Sequence, residues 1–195
     1  YPDEDWTWKT VDEYLLGDRI LVAPILTEGA TSRPVKLPGG AWTRLSGGDP
    51  LVGDIEASAS PSEIPVYVKS GALLVLYPGT VDTMLAAPTL ASATTLAETN
   101  DEREIIVYAG NPGNPAHGQW NDETGPEGTP QYTWSGRPMG TLPASATFNG
   151  TPVSVTKLAS EARVTITGDG TLELEGGGTL TIARGVTATY SVIVR

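Results

Sequence analysis

The sequence predicts an all-β fold: two β-sandwich domains in tandem, preceded by a short N-terminal helix. Apolar runs of about strand length recur along the 195 residues, and clusters of Gly, Pro and Ser separate them. The chain contains 23 glycines and 16 prolines, which is typical of a protein with many turns. Apolar and polar residues alternate with a period of two in Val164–Thr167 and Thr171–Glu175, as expected for half-buried strands.

Residues 1–19 form an acidic and aromatic lead segment in which one short helix is expected. Thr10 followed by Glu13 fits a capping box, in which the two side chains satisfy backbone N–H groups at the start of a helix. The pattern predicts a helix through Tyr14–Leu16 that ends at Gly17, since glycine often ends a helix. A helix of about two turns is unstable alone, so it must pack on another surface.

A first β-sandwich is predicted over residues 20–78. Its first strand, Ile20–Leu26, is a nearly continuous apolar run, typical of a strand buried on both faces. Further strands are predicted where short apolar runs lie between turn residues, namely Pro34–Leu37, Ala41–Leu45, Gly53–Ala57, Pro65–Lys69 and Leu73–Tyr77. Trp42 is expected in the core. Residues 79–100 are rich in Ala and Thr, and they predict a connector with one helical turn near Val81–Ala86.

A second β-sandwich is predicted over residues 101–195. Apolar runs predict strands at Glu104–Tyr108, Gln131–Trp134, Ala144–Phe148, Val153–Thr156, Val164–Thr167, Thr171–Glu175, Thr179–Ala183 and Ala188–Val194. The Gly- and Pro-rich stretch Ala109–Gly118 predicts a loop. Asn149-Gly150 predicts a two-residue hairpin turn, because both residues accept positive φ angles. Pro152 then predicts an edge strand or the first residue of a strand.

Composition excludes several classes of function. The chain has no cysteine and one histidine, His117, which excludes thiolate chemistry and any multi-histidine metal site. Its formal net charge of −11 argues against nucleic acid or an anionic membrane as a partner. No apolar run approaches the roughly 20 residues that span a bilayer. No cofactor and no metal are therefore expected.

The aromatic residues leave a binding function open. The chain has five tryptophans and one phenylalanine, and Trp and Tyr rings can stack on sugar rings. Trp120, Tyr132 and Trp134 of the second sandwich are the candidate carbohydrate-binding residues. Asp122 and Glu123 follow Trp120 and could contribute oxygen ligands to Ca²⁺, but their spacing differs from that of a calcium loop, which favours a solvated turn.

Three stretches together resemble the C-terminal portion of glycoside hydrolase family 31, the α-glucosidase and α-xylosidase family. They are Asp12–Ile25 (DEYLLGDRILVAPI), Leu37–Thr43 (LPGGAWT) and Glu63–Leu74 (EIPVYVKSGALL). Tyr1–Glu4 (YPDE) also resembles the family stretch just before them. Trp120–Gly125 resembles more weakly a turn of the family's distal β-domain.

The resemblance implies a chain without catalytic residues of its own. In the family, an aspartate nucleophile and an aspartate acid/base lie in a (β/α)₈ barrel, on segments expected before Tyr1. The resemblance thus implies a non-catalytic region of a retaining α-glycosidase that supports the catalytic barrel, its expected partner, and that is inactive alone. The alternatives are a carbohydrate-binding module that uses Trp120, Tyr132 and Trp134, and an adhesin-like surface module. A secreted or cell-surface location is slightly favoured.

Overall fold

The computed structural model describes residues 1–82, 93–99, 101–110, 116–120, 130–136 and 141–195. The chain divides into two compact units, Tyr1–Ala72 and Leu73–Arg195. Both are built from strands, which confirms the all-β prediction. Helical structure in the described residues is restricted to two 3₁₀ turns, η1 at Thr7–Lys9 and η2 at Leu96–Thr99. No helix among these residues is long and apolar enough to cross a membrane.

The first unit is a small sandwich of two sheets. Its strands are β1 (Tyr14–Leu16), β2 (Ile20–Val22), β3 (Ser32–Lys36), β4 (Trp42–Arg44), β5 (Asp54–Ser58) and β6 (Val66–Lys69). Four of them form a sheet in the order β1-β2-β6-β4, and β3 pairs with β5. Leu21, Trp42 and Tyr67 of the larger sheet meet Val35 and Ala57 of the smaller one in a shared core. Trp42 is fully buried, as predicted.

The helix predicted through Tyr14–Leu16 is wrong. These residues form β1, which pairs antiparallel with β2 from Tyr14 opposite Val22 to Leu16 opposite Ile20. The capping-box pattern reports only on neighbouring residues. Gly17, which has a φ angle of 67°, does not end a helix but helps to turn the chain back onto the buried strand β2. The backbone groups of Tyr14–Leu16 therefore bond to a neighbouring strand instead of to each other.

The second unit is a larger sandwich. Its strands are β7 (Leu73–Leu76), β8 (Glu102–Val107), β9 (Ala116–Trp120), β10 (Tyr132–Gly136), β11 (Ala146–Phe148), β12 (Thr151–Val153), β13 (Val155–Lys157), β14 (Ala162–Thr167), β15 (Gly170–Leu174), β16 (Thr179–Ile182) and β17 (Thr189–Val194). One sheet has the order β13-β14-β17-β8-β7, and the other has the order β12-β11-β15-β16-β10-β9. Buried side chains of both sheets form one core.

The hairpin predicted at Asn149-Gly150 is confirmed. Phe148 of β11 lies opposite Thr151 of β12, and Asn149 and Gly150 have φ angles of 50° and 75°. Strand β12 is an edge strand, so Pro152 leaves no gap in a central ladder. The chain then changes sheets at Ser154, because β12 and β13 belong to different sheets.

Two predicted boundaries differ from the structure. Strand β7 was expected in the first sandwich, but it pairs with β8 from Leu73 opposite Val107 and belongs to the second unit. The predicted loop Ala109–Gly118 ends early, since β9 begins at Ala116. Most of the helical turn expected near residues 81–86 lies outside the described residues.

Candidate functional site

The first unit exposes large apolar side chains between residues 8 and 16. Trp8 is 75% exposed, Val11 94% and Leu16 61%, and Tyr14 and Leu15 are also exposed. Strand β1 carries three of these residues at the edge of the four-stranded sheet, and all three are exposed. We call these five residues the apolar segment. Single exposed apolar residues are ordinary, but a concentration of them indicates an interaction surface.

Arg33 holds residues 12 and 13, in the middle of this segment, against the sandwich. Its guanidinium donates to the Asp12 carbonyl at 2.7 Å and to the Pro24 carbonyl at 3.2 Å. It also pairs with the Glu13 carboxylate at 2.9 Å and with the Asp12 carboxylate at 3.0 Å. Burial raises the pKa of Glu13 above its ordinary value, although the Arg33 charge acts in the opposite direction. Residues 12 and 13 are thus fixed, and β1 begins from a defined position.

Glu4 fixes the beginning of the lead segment. Its carboxylate accepts the Gly39 backbone N–H at 2.7 Å and the Trp6 indole N–H at 2.7 Å. These two hydrogen bonds, the Gly39 bond first, lower the pKa of Glu4. The contact joins two of the sequence motifs, YPDE at Tyr1–Glu4 and LPGG at 37–40. Sequence reasoning missed it, because the two motifs are more than thirty residues apart and their spacing carries no signal for a contact.

Two lysines complete the attachment of the lead segment. The Lys36 ammonium lies 5.1 Å from the centroid of the Trp6 ring, within the range of a cation–π contact. The Lys69 ammonium lies 5.1 Å from the Tyr1 ring centroid and donates to the Tyr1 hydroxyl at 2.8 Å. Among the acidic residues of the lead segment, Glu4 and Glu13 therefore have defined partners.

The structure does not support the carbohydrate platform predicted in the second sandwich. Tyr132 and Trp134 of β10 are 0% and 1% exposed and belong to the core. Their burial follows from strand alternation, since both side chains point to the inner face of the sheet. Neither ring offers a face to a sugar. Trp120 ends β9, opposite Tyr132, and its side chain lies outside the described residues, so its role stays a prediction.

The calcium alternative at Asp122 and Glu123 stays untested by the structure. Among the described residues, no three His, Cys, Asp or Glu side chains come together in a way that could hold a metal ion. Asp122 and Glu123 lie outside the described residues, as does the His117 side chain. The apolar segment, held by Arg33, is therefore the best-defined candidate site.

Comparison with known families agrees with the motifs in the first unit. The model of the glycosyl hydrolase family 31 C-terminal domain matches residues 1–74. The first unit of the chain is thus similar to this family of domains. The match includes the whole apolar segment and both anchoring groups, Glu4 and Arg33.

Relatives and solved structures come from the same family. "Alpha-glucosidase 2" of Bacillus thermoamyloliquefaciens is 28% identical over 125 residues, which cover 63% of this chain and 14% of the relative. The "1,3-alpha-isomaltosidase" of Kribbella flavida is 35% identical over 72 residues, 36% of this chain and 10% of the relative. A family 31 dextranase structure from Flavobacterium johnsoniae has a TM-score of 0.59 at 15% identity, covering 94% of this chain and 28% of that chain. The structural likeness shows the fold, and this chain spans a small part of each protein.

Proposed function

We propose that the chain is a non-catalytic β-sandwich region of an α-glycoside hydrolase and that its apolar segment packs against the catalytic barrel. The observation that carries this proposal is the exposure of Trp8, Val11 and Leu16 inside the stretch that matches the family domain. Burying such side chains against a partner stabilises the complex by about 1.5–3 kcal/mol for each large side chain.

The lengths of the relatives support a partner of this kind. The chain covers 14% of the Bacillus α-glucosidase and 28% of the Flavobacterium dextranase, so most of each enzyme consists of other segments. The anchors before and within the apolar segment suit the same role. Glu4 and Arg33 attach it to the sandwich, which makes it a rigid surface instead of a loose peptide.

A chimera tests the docking. The part of this chain that aligns with the Bacillus α-glucosidase over 125 residues replaces the corresponding segment of that enzyme. The chimera is then assayed on an aryl α-glucoside. The unsubstituted chimera should be folded and active, whereas Trp8→Asp combined with Leu16→Asp should lower its soluble yield and activity at least tenfold, because two charges would be buried at the contact. The isolated chain should release no aglycone.

The matched control is Val52→Asp combined with Ile64→Asp, which places the same two charges on exposed apolar residues of the first unit outside the apolar segment. This variant should behave like the unsubstituted chimera. Equal yield and activity in the chimera with Asp at positions 8 and 16 would contradict docking through the apolar segment. Hydrolysis by the purified chain that persists through several purification schemes would contradict the non-catalytic role.

A further inference from the structure

Hydrogen bonds at the two ends of strand β2 show which way its backbone groups point. The Lys69 N–H of β6 donates to the Arg19 carbonyl at 2.9 Å, just before β2 begins. The Ala23 N–H donates to the Pro65 carbonyl at 3.0 Å, just after β2 ends. Backbone groups of alternate residues in a strand point to the same side, so Leu21 also directs its N–H and C=O toward β6.

The same alternation directs the backbone of Leu15 away from the sheet. Ile20 turns its backbone groups to the other side of β2, where it lies opposite Leu16 of β1. Val22 lies opposite Tyr14 in the same way. Leu15 stands between these two hydrogen-bonded pairs, so its N–H and C=O point toward the open side of β1. Neither group bonds to another described backbone group.

Strand β1 also lacks the features that protect an open edge from pairing. Proteins guard such edges with charged side chains, prolines or bulges, because an open edge is a template for another strand. The edge strand β12 contains Pro152 and the edge strand β13 contains Lys157, whereas β1 is Tyr-Leu-Leu. All three of its side chains are exposed, so both faces of the strand are uncovered as well as its edge.

We propose that β1 pairs through this open edge with an extended segment at the surface of the catalytic barrel, so that the four-stranded sheet continues across the contact. The inference rests on the proposed function and specifies how the docking is made. The Leu15 N–H and C=O bond to the backbone of the partner segment, and side chains of the two strands pack beside each other. A helix does not serve as this partner, since its own backbone groups are bonded internally.

The charges around β1 indicate the composition of the partner segment. Residues 1–18 present four exposed carboxylates and one exposed ammonium group, namely Asp3, Asp5, Asp12, Asp18 and Lys9. The partner segment is therefore apolar where it faces β1 and carries lysine or arginine beside that stretch. Opposite charges at the rim of a contact fix its register and exclude wrong partners.

Hydrogen exchange at the Leu15 amide tests the pairing directly. In the isolated chain this amide should exchange quickly, whereas the Leu16 amide, which bonds to β2, should exchange more slowly. In the folded chimera described above, the Leu15 amide should become protected by about a hundredfold or more. Equally fast exchange of the Leu15 amide in the two proteins would overturn the proposal.

Proline at position 15 removes the outward N–H and gives a second test. In the isolated chain, Leu15→Pro and Leu15→Ala should have similar melting temperatures, because an edge strand tolerates proline where the N–H faces solvent. Leu16→Pro is the control, and it should melt at a clearly lower temperature since it removes a bond to β2. In the chimera, Leu15→Pro should lower soluble yield and activity at least about fivefold relative to Leu15→Ala.

The variants separate this proposal from docking itself. If Leu15→Pro matches Leu15→Ala in the chimera while aspartates at positions 8 and 16 still disrupt it, docking stands and edge pairing is overturned. If the unsubstituted chimera does not fold, the same proline and alanine changes are made at the corresponding position of the intact Bacillus α-glucosidase, where equal activities would overturn edge pairing.

A second copy of this chain is the other strand that the edge could accept. Sedimentation of the isolated chain should show a monomer at the concentrations used for hydrogen exchange. A dimer that Leu15→Pro abolishes and Leu15→Ala preserves would overturn the assignment of the edge to the catalytic barrel.

Discussion

Glu161, in the described part of the second unit, is a carboxylate with two arginine partners. Its side chain is 6% exposed, and it pairs with Arg163 at 2.5 Å and with Arg195 at 2.9 Å. The Arg195 guanidinium also bonds to the buried Tyr108 hydroxyl. Burial by itself raises the pKa of Glu161, but the hydrogen bonds from the two arginines outweigh it, so the pKa lies below its ordinary value.

This pairing makes the stability of the second unit dependent on pH. Because folding lowers the Glu161 pKa, the stabilisation is complete above the pKa of an unfolded glutamate and is lost as pH falls through the folded value. Glu161→Ala should lower the free energy of unfolding at neutral pH by about 3 kcal/mol, since two arginine charges lose their partner. Urea unfolding between pH 3 and 7 would measure both effects.

The partner arginine provides the control for this prediction. Arg163 is 51% exposed, so Arg163→Ala should cost less than about 1 kcal/mol. Glu161→Gln should reduce the loss of stability of the second unit between pH 5 and pH 3. A wild-type pH profile that matches that of Glu161→Gln would show that the pair does not drive acid unfolding.

At the scale of elements, the turn before β16 fits closely against the tryptophan of β10. A Cβ atom on Gly178 would lie 2.5 Å from the Trp134 ring, and one on Gly136 would lie 2.9 Å from it. Trp134 is nearly fully buried, so its ring cannot move away into solvent. Both glycines next to this ring are thus required by packing, and Gly178 is also required by its positive φ angle.

Two glycines of one turn distinguish the effect of packing from the effect of backbone strain. Gly178 and Gly176 both have positive φ angles, 116° and 80°, but a Cβ on Gly176 meets no atom within 4 Å. Gly178→Ala should therefore destabilise the second unit by about 1–3 kcal/mol more than Gly176→Ala, because it adds overpacking to backbone strain. Thermal unfolding followed by tryptophan fluorescence measures the difference, and equal melting temperatures would exclude the clash.

Strand β1 shows how an element can be misread from its sequence. Thr10 and Glu13 carry the capping-box pattern, yet the Thr10 hydroxyl donates to the Trp6 carbonyl and Glu13 pairs with Arg33. Both side chains are used in contacts other than a cap. Leu15 and Leu16 are exposed at the edge of a sheet, whereas an amphipathic helix packed on the sandwich would bury its leucines.

At the scale of the whole molecule, the division between the units falls at Ala72. Leu73 and Leu74 of β7 are buried, and β7 pairs along its length with β8. The boundary at 79–100 was predicted from a change in composition. Such a change shows where a series of strands ends, but it does not show to which sheet the last strand belongs.

Two fragments test where the second unit begins. A fragment of residues 73–195 should unfold cooperatively, whereas one of residues 79–195 should melt at a clearly lower temperature or not fold. The shorter fragment lacks Leu73 and Leu74, and each buried leucine is worth about 1.5–3 kcal/mol. Calorimetry compares the two, and identical transitions would place the functional boundary after β7.

The sequence by itself determined the strand-rich fold, the Asn149-Gly150 hairpin and the resemblance of the first unit to glycoside hydrolase family 31. Turn residues, alternation and motifs such as LPGG are local features, so they can be recognised without knowing which strands pair. Only the tertiary structure decided that Tyr132 and Trp134 are core residues, that Glu4 contacts Gly39 and that β7 joins β8. Burial and pairing depend on residues far apart in the chain, and a pattern of neighbours does not specify them.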